Sequence, residues 1–205
     1  MISWLGWSFQ VVPANIDESI KAGELPQDYV RRLALEKSTA EVDSAWVGDV
    51  ILAADTIVVL DDVILGKPAD AQNAFVMLES LRDRMHQVVT AISIRQAGHE
   101  DCLQDICRSN VQMRNYSDIE IREYISSGDP LDKAGGYAIQ NPQLHPVENF
   151  SGCFASVMGM PLCHLERTLR KLPGYESGNM AEICQKRLEY RCPITRRVLL
   201  GEDVG

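Results

Sequence analysis

The sequence predicts an α/β fold in which a mixed sheet is flanked by helices on both sides. An uninterrupted apolar run, rich in β-branched residues, spans Val50–Leu60 and is typical of a strand buried on both faces. Alternating apolar residues between Gln87 and Ile94 predict a second strand. Leucines at helical spacing follow Pro161, and similar stripes occur between the strands, so helices alternate with strands along the chain.

Composition and charge narrow the classes of function. The chain has 205 residues, of which 45% are hydrophobic and 24% are charged, as expected for a soluble domain with a sizeable core. A formal net charge of −9 argues against a nucleic acid polymer or an anionic membrane as the main partner. The sequence contains no apolar segment long enough to span a bilayer and no secretion signal, so we expect a cytoplasmic protein.

The cysteines fit a reducing compartment. Six cysteines occur without a secretion signal. Their spacing contains no Cys-x-x-Cys pair, and the four histidines are scattered, so the sequence gives no reason to expect a structural zinc site. Cys153 and Cys163 are interpreted as small core residues.

Breaks and caps predict the elements near the N-terminus. Trp4-Leu5-Gly6 is typical of a last helical turn with a glycine cap. Phe9–Val12 is expected to form a short strand that ends at Pro13. Pro26 favours the first turn of a helix that is expected to run to about Val42.

Capping residues predict the later helices in the same way. Asp70 is expected to cap one helix, and Ser117 and Glu120 form a capping box for another. The segment Gly152–Met160 is expected to be a strand followed by a glycine turn. A further helix is expected over Ala181–Tyr190.

Asp55 and Thr56 lie in the middle of the central apolar run. A carboxylate in a buried strand costs several kcal/mol unless a metal, a cation or hydrogen bonds compensate it. The alternative is a turn at Asp55-Thr56 between two shorter strands, but no glycine or proline marks one. We therefore favour a functional role for Asp55.

Asp17-Glu18 is a pair of adjacent carboxylates in a polar segment. Without other context, these would be solvated loop charges.

Lysine is scarce, with six in the chain, so the positions of the lysines are informative. Lys37 continues an apolar helix stripe, and its ammonium group either reaches solvent or enters a cleft. Lys67 lies at the end of a predicted strand, and Lys133 precedes two glycines that lead into a predicted short strand up to Gln140. Paired glycines let a backbone approach a ligand closely. The alternative role for these lysines is surface solubility.

The order of these motifs resembles the Maf family of nucleoside triphosphate pyrophosphatases. The resemblance covers most of residues 5–172, which gives a Maf-like pyrophosphatase domain over residues 1–172 and a C-terminal extension of unknown role over residues 173–205. The matching segments are Asp17-Glu18, Tyr29-Val30 with Leu33-Ala34 and Lys37, Ala54-Asp55-Thr56, Leu65-Gly66-Lys67-Pro68, Arg84 with His86 and Thr90, Asp132–Gln140, and Gly159-Met160-Pro161-Leu162.

The resemblance implies a fold, an activity and a metal. It implies an elongated α/β fold with a central cleft, and similar proteins are cytoplasmic and often homodimers. It implies hydrolysis of the bond between the α- and β-phosphates of a nucleotide, which yields a monophosphate and pyrophosphate and cleans the nucleotide pool. The expected substrates are dTTP and UTP, with modified pyrimidine nucleotides as further candidates. The expected cofactor is a divalent cation, Mg²⁺ or Mn²⁺.

The resemblance also implies roles for residues. Asp55 corresponds to the proton acceptor, and Asp55 with Glu18 would hold the metal through oxygen. Thr56 and Gln140 correspond to the branch acting on dTTP and UTP and are the expected specificity residues.

A triphosphate needs its negative charge neutralised and held in place for attack at phosphorus. Lys37, Lys67 and Lys133 are therefore assigned to the phosphates. Arg84 either contacts phosphate as well or pairs with a nearby acid.

The sequence departs from the family pattern at two places. Met1 falls within the helix that should follow a first strand and a Ser-x-Ser-x-Arg-Arg loop, so both are missing from the expected domain. Either the true start lies upstream, which the intact later motifs favour, or part of the active site has been lost. In the latter case the chain would be a nucleotide-binding or regulatory protein with impaired turnover. A purine-type pyrophosphatase, acting on ITP, XTP or 7-methyl-GTP, is a further alternative. The second departure is Asn141, where the family usually has glycine.

Overall fold

The computed structural model describes residues 1–40, 48–176 and 178–205, and its central element is a five-stranded sheet. The strand order is β2-β1-β3-β4-β5. The strands are β1 (Val50–Leu60), β2 (Val63–Leu65), β3 (Met85–Gln96), β4 (Cys102–Met113) and β5 (Val147–Ser151). The predicted α/β class, with a sheet flanked by helices, is confirmed.

All described strand pairs are antiparallel, so this part of the sheet is not mixed as the sequence suggested. For β1 with β2 and for β3 with β4 the reason is a short connection, because two strands joined by a tight turn must run in opposite directions. Asp61 and Asp62 form the turn between β1 and β2, and both have positive φ. A similarly short segment joins β3 to β4.

Seven helices are described besides short 3₁₀ turns. They are α1 (Pro26–Thr39), α2 (Ala71–Leu81), α3 (Asp118–Ser126), α4 (Phe154–Val157), α5 (Leu162–Leu169), α6 (Met180–Leu188) and α7 (Thr195–Leu199). Helix α1 begins at the predicted proline, while its predicted end, Val42, lies outside the described residues. The N-caps Asp70 and Ser117 are confirmed, the latter with its capping box to Glu120. None of the described helices combines the length and apolarity needed to cross a bilayer.

Helix α1 covers one face of the sheet. Its stripe residues Val30 and Leu33 are at most 1% exposed and pack in one cluster with Ile57 and Val59 of β1. Because side chains alternate along a strand, Asp55 points to this same face. The helix and the central acid are therefore on the same side of the sheet.

The opposite face carries the other helices in two clusters. Val58 of β1 packs with residues of α2 and α3 in one cluster. Leu52 packs with residues of α5 in the other, which also contains the buried Met180 and Cys184 of α6. The C-terminal residues thus share a core with α5. The domain division at residue 173 stays a prediction.

Two predicted strands have other structures. Phe9–Val12 has no assigned secondary structure and pairs with none of the described strands, and Phe9 is 50% and Val11 82% exposed. An apolar pattern predicts a strand only where a partner exists, and the described residues provide none here. Residues 154–157 form α4, and the chain before it turns at Gly152, whose φ of 127° ends β5 locally.

The predicted short strand up to Gln140 is a turn. The amide of Asn141 donates to the carbonyl of Ala138 at 3.0 Å, which closes this turn. Gln140 is exposed at its tip. A local hydrogen bond therefore replaces the ladder that the apolar residues suggested.

Strand β1 has a long edge that is open over most of its length. Strand β2 pairs only with Val58–Leu60, whereas β3 pairs with Val50–Val59. Among the residues that the structure describes, Val50–Ile57 have a strand neighbour on one side only.

Candidate active site

A lysine and two carboxylates meet beside the middle of β1. Lys37 Nζ lies 2.5 Å from Asp55 Oδ1 and 2.7 Å from Glu18 Oε1. The side chains of Asp55 and Lys37 are 13% and 21% exposed, whereas that of Glu18 is 55% exposed. The cluster is therefore buried at Asp55 and opens to solvent at Glu18.

The positions of Lys37 and Asp55 follow from the helix and strand periods. Residues 30, 33, 34 and 37 share one face of α1, so the stripe that packs on the sheet ends in the ammonium group. Asp55 lies on the same sheet face as Ile57, two residues along the strand. Packing of α1 on β1 thus brings the two charges together, and the ion pair compensates the buried carboxylate.

The cluster shifts the protonation equilibria of its members. Burial raises the pKa of Asp55 above its ordinary value, and this outweighs the opposing effect of the Lys37 ammonium. The charge of Glu18 also raises the Asp55 pKa, while that of Lys67 lowers it. Burial alone would lower the pKa of Lys37, but hydrogen bonds to Asp55 and Glu18 raise it overall. Asp55 therefore accepts a proton more readily than an exposed aspartate, as a general base requires.

The loop that carries Glu18 is fastened to α1 by two residues that sequence reasoning missed. Tyr29 Oη donates to the carbonyl of Glu18 at 2.7 Å. Arg32 donates to the carbonyl of Ser19 at 2.9 Å and pairs with both carboxylate oxygens of Glu24 at 2.6 and 2.8 Å. The sequence did carry one signal for this role. Tyr29 and Arg32 are three residues apart, and residues at that spacing share a helix face.

The segment around Lys67 lies beside the glycine pair. The amide of Gly135 donates to the carbonyl of Gly66 at 3.0 Å. Gly135 has a φ of 68°, and a Cβ there would lie 2.9 Å from a methyl group of Val58, so only glycine fits. Lys67 is exposed, and its charge favours the ionised form of Asp55. The structure therefore brings Lys67 to the side of the site.

The ammonium group of Lys133 is bound within its own loop. It lies 2.9 Å from the carboxylate and 2.8 Å from the carbonyl of Asp129, and 2.6 Å from Asp132 Oδ1. The backbone of this loop lies next to Gly66, but the ammonium does not reach Asp55 in this arrangement. The Asp132 side chain is 80% exposed and is the partner most easily exchanged.

Asp129 is a further residue near the site whose role the sequence did not reveal. Its carboxylate accepts hydrogen bonds from Tyr124 Oη at 2.7 Å and Asn141 Nδ2 at 3.1 Å. The Tyr124 hydroxyl in turn accepts one from the amide of Ala138 at 3.0 Å. Asn141, the departure from the family pattern, thus fixes the loop between Lys133 and Gln140.

The two expected specificity residues lie in different surroundings. Thr56 is on the opposite sheet face from Asp55, and its hydroxyl pairs with that of Thr90 at 2.9 Å. A Cβ on Gly159 would lie 3.5 Å from the Thr56 hydroxyl, so the turn after α4 covers this threonine. Gln140 is at the exposed turn described above.

Arg84 lies away from the acid–lysine cluster. Its guanidinium lies 2.5 Å from Asp61 Oδ2, at the end of β1. Asp61 follows Asp55 by six residues, a separation of about 20 Å along a strand. The structure therefore does not bring Arg84 together with Asp55.

The carboxylates of Asp55 and Glu18 suit a hard divalent cation. Their oxygens already converge on one positive charge, the Lys37 ammonium. Carboxylate oxygen is the ligand that Mg²⁺ prefers, and Mg²⁺ binds with few protein ligands and several waters. The residues present thus fit the metal that the resemblance implied.

The protein is of the α/β class, with a sheet flanked by helices. Its candidate site combines the buried Asp55 with Lys37 of α1, and Lys67 lies to the side near Gly135. Comparison with known proteins identifies the family. The family model described as Maf-like protein matches residues 1–172, so the chain belongs to the Maf family. The resemblance seen in the sequence motifs is confirmed.

Several curated relatives of this chain are named dTTP/UTP pyrophosphatase. A dTTP/UTP pyrophosphatase of Geobacter sp. (strain M21) is 42% identical over 165 residues, which cover 80% of this chain and 85% of the relative. One from Geotalea uraniireducens is 38% identical over 176 residues, with 86% and 90% covered. One from Syntrophomonas wolfei is 41% identical over 162 residues, with 79% and 85% covered.

Proposed function

We propose that this protein hydrolyses nucleoside triphosphates to the monophosphate and pyrophosphate, with dTTP and UTP as substrates and modified pyrimidine nucleotides as further candidates. The cluster of Asp55, Lys37 and Glu18 carries the proposal, because it combines a buried proton acceptor with a cation and an exposed acid. The relatives named dTTP/UTP pyrophosphatase support the substrate class.

The phosphate chain binds to lysines that enter the site from two directions. Lys37 reaches it from α1, and Lys67 from the loop after β2. Lys133 contributes when a phosphate oxygen replaces the exposed Asp132 as partner of its ammonium. Arg84 has no part in this proposal, because it pairs with Asp61 at the end of the strand.

Asp55 orients the attacking water and accepts its proton. The water oxygen bonds to phosphorus as the bond that bridges the α- and β-phosphates breaks, which releases pyrophosphate. Because burial raises the pKa of Asp55 while the group remains paired with Lys37, its carboxylate accepts a proton more readily than an exposed aspartate does. Lys37 and Lys67 stabilise the charge that develops on the phosphates.

Asp55 and Glu18 would hold a divalent cation, Mg²⁺ or Mn²⁺. When bound, the cation neutralises phosphate charge and favours the ionised form of the water. Tyr29 keeps Glu18 in place through its hydrogen bond to the Glu18 carbonyl.

Turnover is the decisive test. We expect pyrophosphate release from dTTP and UTP, above that from a purine panel, with Mg²⁺ or Mn²⁺. Asp55→Asn should reduce kcat by about 10²–10⁴-fold, the usual contribution of a general base. Asp62→Asn is the matched control, because Asp62 is exposed in the turn after β1 and asparagine tolerates its φ of 62°.

Other outcomes identify the alternatives. Saturable nucleotide binding by calorimetry without any product would make the chain a regulatory nucleotide-binding protein. Preference for deaminated or methylated purines would make it a purine-type enzyme. Turnover that Asp55→Asn leaves intact would refute the proposed mechanism.

Base selection is assigned to Gln140, whereas the role expected for Thr56 stays a prediction because its hydroxyl pairs with Thr90 on the sheet face opposite Asp55. A glutamine amide can donate to and accept from a pyrimidine edge. We expect Gln140→Ala to reduce the preference for UTP over purine triphosphates, measured as the ratio of kcat/KM values. Gln143→Ala, at another exposed glutamine of the same loop, should leave that ratio unchanged.

The remaining predictions concern the assembly and its setting. We propose a catalytic unit over residues 1–172 with an extension over residues 173–205. Light scattering tests whether the chain forms the homodimer common in similar proteins. The cytoplasmic location, and a single nucleotide rather than a polymer as partner, stay predictions.

A further inference from the structure

Two thiols and an imidazole come together in the core on the opposite side of the sheet from Asp55. Cys107 lies on β4, Cys153 precedes α4, and His164 lies on α5. One ligand atom from each lies within 4.8 Å of the others. The three residues are between 0% and 4% exposed. The cluster is thus fully enclosed.

The imidazole of His164 is buried without a hydrogen-bond partner. Neither ring nitrogen makes a hydrogen bond to any residue that the structure describes. The backbone of Val204 is nearby and favours the protonated ring, but it does not reach hydrogen-bonding geometry. The nearby carboxylate of Asp105 is already engaged by Arg167 and Thr168. Buried polar groups are rarely left unpaired, so we expect the His164 ring to bind a partner from outside the described residues.

We propose that Cys107, Cys153 and His164 bind one Zn²⁺ ion. Sulfur and imidazole nitrogen are the donors that zinc prefers, and two thiolates with one neutral imidazole neutralise its charge. Tetrahedral zinc holds such donor atoms roughly 3.5–3.8 Å apart, so the cluster needs a contraction of at most about 1 Å.

The backbone around the thiols is already fixed. The amide of Cys153 donates to Ser109 Oγ at 3.0 Å, and Ser109 Oγ donates to the carbonyl of Cys153 at 3.3 Å. Ser109 is two residues after Cys107, on the same face of β4. A Cβ on Gly152 would lie 2.5 Å from Ser109 Oγ, so glycine permits this close approach. The thiols are therefore held together independently of the metal, as in a preformed site.

The C-terminal extension closes the cluster. A Cβ on Gly205 would lie 3.7 Å from Cys107 Sγ and 3.8 Å from the amide nitrogen of Cys153. Cys184 of α6 is buried in the same hydrophobic cluster. This gives residues 173–205 a role, which is to shield from bulk solvent a zinc ion whose fourth ligand would be a water.

The zinc site would also support the nucleotide site. Thr90 Oγ1 donates to the carbonyl of Ser156 in α4 at 2.8 Å and pairs with Thr56. Cys153 is the residue before α4, so zinc would fix the segment that covers Thr56. The inference itself does not depend on the proposed activity.

Cobalt substitution of the full chain tests the proposal without an activity assay. The protein is prepared metal-free under reducing conditions and titrated with Co²⁺, and then Co²⁺ is displaced by Zn²⁺. We expect one equivalent of Co²⁺ to produce a thiolate charge-transfer band and the visible bands of a tetrahedral site, which Zn²⁺ abolishes. Mass spectrometry of the protein purified from zinc-supplemented cells should find one zinc per chain.

Variants assign the ligands. Cys107→Ser and His164→Asn should each lose the charge-transfer intensity or its tetrahedral pattern. Cys102→Ser, at the half-exposed start of β4, is the matched control and should retain both. Asp55→Asn should also retain them, which separates this site from the cation site at the nucleotide.

A second measurement guards against variants that do not fold. Zinc should raise the Tm of the metal-free wild-type protein, and a zinc chelator should lower that of the loaded protein. The absence of a cobalt charge-transfer band in folded wild-type protein would overturn the proposal. So would a band that is unchanged in folded His164→Asn and Cys107→Ser.

Discussion

The ammonium of Lys37 lies 2.5 Å from the carboxylate of Asp55, although the two residues belong to a helix and a strand in different layers. Neither group is freely exposed, so each shifts the pKa of the other in addition to the effect of burial. Packing of the helix on the sheet thus places this pair at the centre of the proposed chemistry.

Removal of the Lys37 charge should shift the acid limb of the pH–rate profile. Burial already raises the pKa of Asp55, and Lys37 opposes that rise. The reaction needs ionised Asp55, so activity falls as the pH falls through this pKa. An adjacent cation lowers a carboxylate pKa by about 1–3 units, so Lys37→Met should move the acid limb of kcat/KM to higher pH by about one unit or more. A pH–rate profile measures this shift, and an unmoved limb in an active variant would contradict the assignment.

Lys67 should contribute to phosphate binding through its charge. A hydrogen bond to a charged group is worth about 1.5–3 kcal/mol, so Lys67→Gln should raise KM for UTP by roughly 10–100-fold. Lys171→Gln removes an exposed lysine outside the site and serves as control. Steady-state kinetics at constant ionic strength give KM for UTP in both variants. Equal KM values for the two variants would exclude Lys67 from the phosphates.

Tyr29 should act by positioning Glu18. Tyr29→Phe removes the hydroxyl that donates to the Glu18 carbonyl at 2.7 Å and leaves the aromatic ring in the core. We expect a several-fold higher Mg²⁺ concentration for half-maximal activity, with kcat at saturating Mg²⁺ little changed. Tyr190→Phe, near the C-terminus, is a matched control. A loss of kcat that Mg²⁺ does not restore would show that Tyr29 does more than hold the loop.

Asp105 and Arg167 should stabilise the fold in a pH-dependent way. Arg167 donates to both oxygens of Asp105 at 2.5 and 2.6 Å. Burial alone would raise the pKa of Asp105, but Arg167 lowers it overall, so the pair stabilises the protein above the ordinary aspartate pKa and loses this effect as the pH falls through the lowered value. Breaking one side of a buried pair leaves the other charge uncompensated, so Asp105→Asn should lower the free energy of unfolding by about 3 kcal/mol at pH 7.

Urea unfolding at pH 7 and in acid measures this effect of Asp105. The difference between wild type and Asp105→Asn should shrink in acid, where the wild-type carboxyl is protonated as well. The exposed Asp101→Asn is the control. A difference that is independent of pH would assign the effect to packing.

Local patterns were sufficient for the central acid and the helix that faces it. The apolar run around Asp55 and the stripe that ends at Lys37 each obey one period, and the two periods together place the groups on facing surfaces. The caps Asp70 and Ser117 are equally local, because a capping side chain bonds to a backbone amide three residues away.

Contacts between distant segments were not predictable in this way. The interaction of Tyr29 with Glu18 depends on how a loop crosses a helix, and that of Arg84 with Asp61 on how two turns meet. The cluster of Cys107, Cys153 and His164 draws on a strand, a loop and a helix, so its spacing in the sequence resembles no zinc motif. The strand predicted over Phe9–Val12 is wrong because its local pattern was that of a strand, but no described strand pairs with it.

The open side of β1 has a consequence for the behaviour of the protein in solution. Within the described part of the chain no strand pairs with this side of Val50–Ile57, and such an edge is a template for any extended chain, including a neighbouring molecule. Phe9, Val11 and Val12 are exposed apolar residues of a segment that pairs with no described strand, so this segment of a neighbouring molecule is a candidate partner. We therefore expect concentrated samples to self-associate through their backbones, and a charged residue placed on this edge to keep them dispersed.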